Sequence, residues 1–407
     1  MTEIACYPEA EKRAEMVRRI DDLGVFRTDA VRNAMLNVPR HCFLPAASPD
    51  DAYAERSVTT KNGGGKHPLS CASGPRIVAA MLEQLAIEPG QRVLEVGAGT
   101  GYNAALLGEL VGPKGHVTTI DVDADIVDNA RVALAATGCV NVEIVQGDGG
   151  DGYQLNAPYD RIIVTVGPWD LPAAWFDQLI DGGRLVMPLR FRGHARSLAL
   201  IKGRNVLYSD STELCGFIPM RSDGQLGEQE GFIDAEEQVG LCWDADQRID
   251  PRLLRPGLAA EPSTLWSTVT VASGERLDGI ALRLIASQSG ACRVTASPEA
   301  VAAGPCKPAV PARTPALVHN DSFAYLTVRP SPSEDGSRKF ELGAAAHGPG
   351  GDELAVRYCS VIEAWAQARD SWPEVRVYPR RVASGAPVSV TGRQSIEKPG
   401  CTVQLIY

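Results

Sequence analysis

Three glycines at alternate positions, Gly97, Gly99 and Gly101, punctuate the run Val93-Leu94-Glu95-Val96-Gly97-Ala98-Gly99-Thr100-Gly101-Tyr102. Where an apolar strand turns into a helix through such a loop, the missing side chains let the backbone bend sharply and let a ligand lie against it. Glu95 precedes the loop as an acid on the strand's end, placed to meet an ammonium group or a bound water. Asp121 closes the next apolar run, 116–121, where a carboxylate can accept both hydroxyls of a ribose. Asp148-Gly149 follows a third run, 141–146, where an acid can receive an adenine amino proton. Glycine turns of this kind also serve dinucleotides. Here, however, the third glycine arrives two residues after the second, rather than three as in the dinucleotide fingerprint. Asp123, Asp125 and Asp128 sit where they would cap or solvate the start of the following helix.

These residues need a scaffold, and the surrounding pattern supplies one. Apolar positions at helical spacing predict two short helices within 8–37 and another over 77–86. Strands at 92–97, 116–121, 141–146, 160–166 and 184–189 then alternate with helices at 102–111, 124–138 and 173–180. This rhythm predicts an α/β fold, a parallel sheet with helices on both faces, in which ligands bind at the carboxyl edge. After about residue 195 the rhythm changes. Segments 197–202 and 211–220 read as antiparallel strands closing that sheet, and 221–250 reads as a polar loop or junction. Strands are predicted at 267–272, 281–287, 322–329, 374–379 and 401–407. The proline-rich stretch 297–316 reads as a linker or long loop, and 353–370 as an amphipathic helix. The expected organisation is an N-terminal helical part (1–90), a Rossmann-like core (91–220) and a C-terminal α+β accessory domain (221–407).

Composition narrows the partners. The chain has 407 residues, of which 50 are acidic and 40 basic, giving a formal charge of −10. This charge argues against nucleic acid as the main partner. The ten cysteines are scattered, with no Cys-x-x-Cys pair and no His pair at ligand spacing, so no metal site is expected. The opening residues lack a signal-peptide pattern, and no apolar run is long enough to span a membrane. A cytoplasmic protein with reduced thiols, a monomer or homodimer with no membrane partner, is the expectation.

Glu95, the glycine loop, Asp121 and Asp148 together resemble class I S-adenosylmethionine-dependent methyltransferases. Val38-Pro39-Arg40-His41-Cys42-Phe43-Leu44-Pro45 with Ala52-Tyr53 is similar to the N-terminal signature of the protein-L-isoaspartate O-methyltransferases. Further matches follow in order: Ser73-Gly74-Pro75, Gly147-Asp148-Gly149, 157–164 and 182–189. The resemblance implies S-adenosylmethionine as cofactor, held by Glu95, Gly97, Ala98, Gly99, Thr100, Gly101, Asp121, Val122, Asp148 and Gly149. It also implies a serine in the active site just before a Gln-Pro pair. Here Gly74 stands in place of that glutamine, which leaves Ser73 first and Ser70 second as candidates. A helix N-cap is the alternative role for either serine, and His41 and His67 are expected to hydrogen-bond structurally.

The family's compact members end near the position matching residue 220. The longer chain resembles the subgroup encoded with ribosomally made, modified peptides of the lanthipeptide, graspetide and lasso kinds, through 215–220, 323–329, 348–350 and Trp365. That resemblance implies esterification of one aspartate in a modified precursor peptide, leading to succinimide (aspartimide) and isoaspartate, with 221–407 recognising the peptide. The alternative is a general protein-L-isoaspartate repair methyltransferase.

Overall fold

A computed structural model describes residues 8–63, 68–221, 227–304, 306–332, 337–380 and 394–407. The chain divides into two compact units, one formed by 1–189, 195–225 and 378–385, the other by 190–194, 226–377 and 386–407.

The first unit opens with α1 (Pro8–Asp22) and α2 (Asp29–Asn37), then α3 (Pro49–Ala52), the hairpin β1 (Val58–Lys61) and β2 (Ser70–Ala72), and α4 (Pro75–Leu85). The Thr28 hydroxyl caps α2 by accepting from the Val31 N–H, satisfying one of the donors a helix start leaves open. The alternating part follows as β3 (Arg92–Val96), α5 (Tyr102–Val111), β4 (His116–Asp121), α6 (Ala124–Ala136), β5 (Val142–Gln146), β6 (Tyr159–Val164), α7 (Ala173–Gln178), β7 (Leu179–Phe191), β8 (His194–Lys202) and β9 (Leu207–Leu214). Seven of its strands lie in the order β9-β8-β7-β6-β3-β4-β5. Strand β3 pairs in parallel with both β4 and β6, β4 with β5 and β6 with β7, while β8 and β9 are antiparallel.

The chain leaves β3 toward β4 and β5 and then returns to β3's other side as β6. The switch point of this Rossmann-like sheet therefore lies at the carboxyl end of β3, where the two crossovers diverge and open a crevice. Met16, Val17 and Ile20 of α1, Val31 and Met35 of α2 and Leu82 of α4 share one core with Leu106, Leu107, Val117 and Ile163. The N-terminal helices and the sheet are thus a single packed body.

The second unit contains β10 (Glu228–Phe232), β11 (Val239–Asp244), α8 (Arg255–Leu258), β12 (Ser263–Ala272), α9 (Asp278–Ser287), β13 (Ala291–Ala296), α10 (Pro298–Ala303), β14 (Thr314–His319), β15 (Ser322–Ser331), β16 (Lys339–His347) and α11 (Gly351–Ala366). Its seven-stranded sheet runs β10-β11-β13-β14-β15-β16-β12. Leu354, Tyr358, Ile362 and Trp365 form the buried face of α11. A buried ion cluster ties the unit's dispersed pieces together. The fully buried Asp244 carboxylate accepts the Arg192 backbone N–H at 2.8 Å. It also lies 3.8 Å from the Arg192 guanidinium and 4.0 Å from the equally buried Lys398 ammonium.

Several expectations are corrected. Residues 281–287 belong to helix α9, because a short apolar run (Ile280, Ala281, Leu282, Leu284 and Ile285, all buried) suits a buried helix as well as a strand. The proline-rich stretch is not one loop. Ser297 caps α10 by accepting from the Ala300 N–H at 3.1 Å, Cys306 is fully buried, and β14 begins at Thr314. The polar segment 221–250 holds β10 and β11. Strand β9 ends at Leu214 rather than running to 220. Among the described residues no helix is long and apolar enough to cross a membrane.

Candidate active site

One pocket occupies the switch point of the first unit. Its lining includes Gly97, Ala98, Gly99 and Thr100 of the glycine loop but not Gly101, together with both candidate serines, Glu95, Asp121, Val122 and Gly149. Each glycine of the loop meets a different need. Gly97 has φ +99, and a Cβ there would sit 2.8 Å from the Thr165 hydroxyl and 2.9 Å from Val166, so the loop can pass the end of β6 only without a side chain. At Gly101 a Cβ would press on Ala130 at 3.3 Å, where α5 meets α6. At Gly99 the nearest atom is the Cys71 carbonyl oxygen at 3.9 Å, which leaves that side of the loop open to a ligand.

The two acids beside the loop are held differently. Glu95 is fully buried, and its carboxylate accepts from the Asn103 amide at 2.7 Å and the Thr119 hydroxyl at 2.6 Å. Burial pushes its carboxyl up to about 7, against the pull of those two donors. Asp121 accepts the Gly99 N–H at 3.1 Å and the Asp123 N–H at 3.2 Å, one on each oxygen. Its carboxyl is also raised by burial. A carboxylate offers about four lone-pair sites, so Asp121 can brace the loop and still accept from a diol.

Asp148 stands apart. It accepts the Gly150 N–H at 2.8 Å, capping the 3-10 turn Gly149–Asp151, and does not belong to the pocket lining. Asp123 occupies the N-cap position of α6 without making a side-chain cap. It pairs instead with Arg221 at 2.6 Å and Lys61 at 3.3 Å, and Lys61 also reaches Asp125 at 2.8 Å.

Both serines face the same space, and neither is a helix cap. Gly74 holds the N-cap position of α4 with no side-chain bond. The nearly buried Ser70 hydroxyl accepts from Thr60 at 3.0 Å. The Ser73 carbonyl oxygen accepts from Arg40 at 2.7 Å, while its hydroxyl takes no hydrogen bond among the described residues. His41 shares a 2.8 Å hydrogen bond with the Tyr53 hydroxyl, and His67 lies outside the described residues.

Sequence reasoning missed part of the wall. After β9 the segment 215–221 crosses the end of β6, where the Gly167 N–H donates to the Ile218 carbonyl at 2.7 Å and the Met220 N–H to the Gly167 carbonyl at 3.0 Å. Phe217, Ile218 and Met220 thereby line the pocket. Asn103 was missed as well, although a polar residue in the first turn of the otherwise apolar α5 was a readable signal.

A family profile described as Protein-L-isoaspartate(D-aspartate) O-methyltransferase (PCMT) matches residues 11–225. That span is more than half of the chain. The chain belongs to this family. The protein-L-isoaspartate O-methyltransferase of Methanopyrus kandleri is 39% identical over 232 residues, covering 55% of this chain and 95% of its own. The protein of the same name from Ignicoccus hospitalis is 40% identical over 179 residues, covering 44% and 82%. A solved protein-L-isoaspartate O-methyltransferase structure shares the fold over 89% of this chain and 96% of its own, with a TM-score of 0.50 and 22% identity. That share exceeds what residues 1–225 can supply, so the likeness of fold runs on into the second unit.

Membership makes this chain an S-adenosylmethionine-dependent carboxyl O-methyltransferase. The pocket fits that cofactor: an open glycine bend, a strand-end acid with lone pairs to spare, and a buried carboxylate suited to an ammonium group. The Glu95 environment sets an expected pH dependence. A Glu95 contact with the cofactor's ammonium group would prefer the ionised carboxylate, so such binding would drive off the proton that free Glu95 carries below about pH 7. The affinity for S-adenosylhomocysteine, measured by calorimetry, should weaken by up to about tenfold per pH unit below that value and level off above it. In Glu95→Gln it should be weaker and flat across the same range.

Proposed function

We propose that this methyltransferase esterifies the free carboxylate of isoaspartyl residues in proteins and peptides. The observation that carries the reading is that every lining residue of the pocket falls between Arg40 and Arg221, inside the span that matches the family. The named relatives are protein-L-isoaspartate O-methyltransferases, which backs the general isoaspartyl reading over a dedicated precursor peptide. A long chain does not by itself call for such a peptide, since the similar solved structure bears the same name.

A carboxylate is already ionised at neutral pH, so no general base is required. What the chain must do is desolvate it, orient it and shield it from water. The Ser73 hydroxyl suits the orienting role because it can donate to one carboxylate oxygen and leave the other as nucleophile. Ser70, tied to Thr60, stands behind it. Glu95 and the glycine loop hold the cofactor's amino-acid end, Asp121 its ribose, and Val122, Ala98, Thr100 and Gly149 the walls. S-adenosylmethionine, when bound, supplies a methyl on cationic sulfur. The resulting ester is a better acyl donor than the acid, and the neighbouring backbone nitrogen can attack its carbonyl and close a succinimide, with the C–OMe bond broken and the N–H proton leaving with the methoxide as methanol.

Ser73→Ala should lower kcat/KM by roughly 10- to 100-fold, the worth of one donor to a charged group, while leaving S-adenosylhomocysteine affinity within about twofold. If Ser70→Ala alone has that effect, the two serines exchange roles. The reading itself is tested by mass spectrometry on matched peptides that differ only in an aspartyl or isoaspartyl linkage. A methyl ester on the isoaspartyl peptide alone is expected. Esterification of the ordinary aspartyl form in a modified, constrained peptide, with none on the isoaspartyl peptide, would overturn it in favour of the precursor-peptide reading.

A further inference from the structure

Arg40 is a charged residue of the N-terminal signature for which the reaction has so far no use. Its side chain is fully buried, and Arg40 lines the pocket. Its Nε donates to the Ala52 carbonyl at 2.8 Å and its Nη2 to the Ser73 carbonyl at 2.7 Å. The guanidinium carbon lies 4.9 Å from the centre of the Tyr102 ring. Two features set this arginine apart from an ordinary structural tie. Its Nη1 is buried with no hydrogen-bond partner, and so is the Tyr102 hydroxyl beside it. In addition, no carboxylate pairs with it among the described residues, and the groups that act on its charge are Tyr102, Tyr53 and Cys71. A buried cation without a counter-ion is costly, and two carbonyls could be tied by a neutral amide just as well. The fixed charge, set directly behind Ser73, calls for an anion that arrives from outside.

We propose that Arg40 is a positioning residue for the substrate carboxylate. It holds Ser73 through the main chain, and its uncompensated positive charge draws an anionic acceptor into the pocket. This inference rests on the isoaspartyl reading above. The charge stabilises the carboxylate before reaction, and that negative charge disappears as the ester forms. Arg40 should therefore act on substrate binding and contribute little to the chemical step, since a group that favours the charged reactant does not favour a neutralising transition state.

The test pairs the charge of residue 40 with the charge of the ligand. The KM and kcat for an isoaspartyl peptide are measured alongside inhibition by the same peptide with that carboxylate replaced by a carboxamide, in wild type, Arg40→Gln and Arg40→Lys. The wild type should favour the carboxylate over the carboxamide by roughly tenfold. Arg40→Gln should lose that preference through KM, with kcat within about threefold and S-adenosylhomocysteine affinity unchanged. Arg40→Lys should keep most of the preference. A folded Gln variant that retains the full preference overturns the inference and leaves the isoaspartyl reading standing. So does a wild type with no preference. If Arg40→Gln fails to fold, Arg40→Lys decides: a folded, charged variant without the preference overturns the proposal. A wild type that does not methylate the isoaspartyl peptide removes the reading, and this inference with it.

Discussion

Asp121→Ala should weaken S-adenosylhomocysteine binding by roughly 100- to 1,000-fold, equivalent to about 3–4 kcal/mol. Two contributions add. The variant loses the acceptors proposed for the ribose diol, each hydrogen bond to a charged group being worth about 1.5–3 kcal/mol. It also releases the Gly99 and Asp123 N–H groups that now brace the loop. The fold should be little affected, because burial already disfavours the ionised form of Asp121 in the free protein. Calorimetric titration and a thermal melt on one sample separate the two effects. Undiminished affinity would move the ribose contact to another residue.

The second large effect lies in the other unit and concerns stability. Asp244→Ala leaves the buried Lys398 ammonium without the carboxylate 4.0 Å away and releases the Arg192 backbone N–H, while the Arg192 guanidinium keeps its closer pair with Asp246 at 2.8 Å. Breaking a buried ion cluster on one side costs about 3–5 kcal/mol. For a unit of this size that corresponds to a fall in Tm of about 10 °C. Lys398→Met should cost less, since Asp244 keeps Arg192 and its backbone N–H. Calorimetric melting of the full chain reads both, and an Asp244→Ala melt that matches wild type would show that the cluster carries no net stability.

The alternating half was legible because its elements obey local rules. A strand such as β3, apolar except for Arg92 and Glu95, followed by glycines of positive φ, has few other conformations open to it. The pocket's ends were legible for the same reason, since Glu95, Gly99 and Asp121 sit at strand termini that the topology brings together. Asp148 caps the turn at Gly149, a role that a strand-end acid fills as readily as a ligand contact, and the sequence does not separate the two. The wall formed by Phe217, Ile218 and Met220 was hidden because its defining hydrogen bonds go to Gly167, some fifty residues away. In the second unit Asp244 lay in a segment read as a polar loop or junction, and Lys398 carried no reading at all. They are buried beside each other across 154 positions, which no window of sequence can display.

The Lys61, Asp123 and Arg221 pairs make one local structure sensitive to salt. Three distant stretches of chain, the first hairpin, the turn after β4 and the segment beyond β9, are fastened at one carboxylate beside Asp121. These side chains are partly open to water, so dissolved ions compete for them. Raising the ionic strength should therefore loosen this fastening of three stretches of chain beside Asp121.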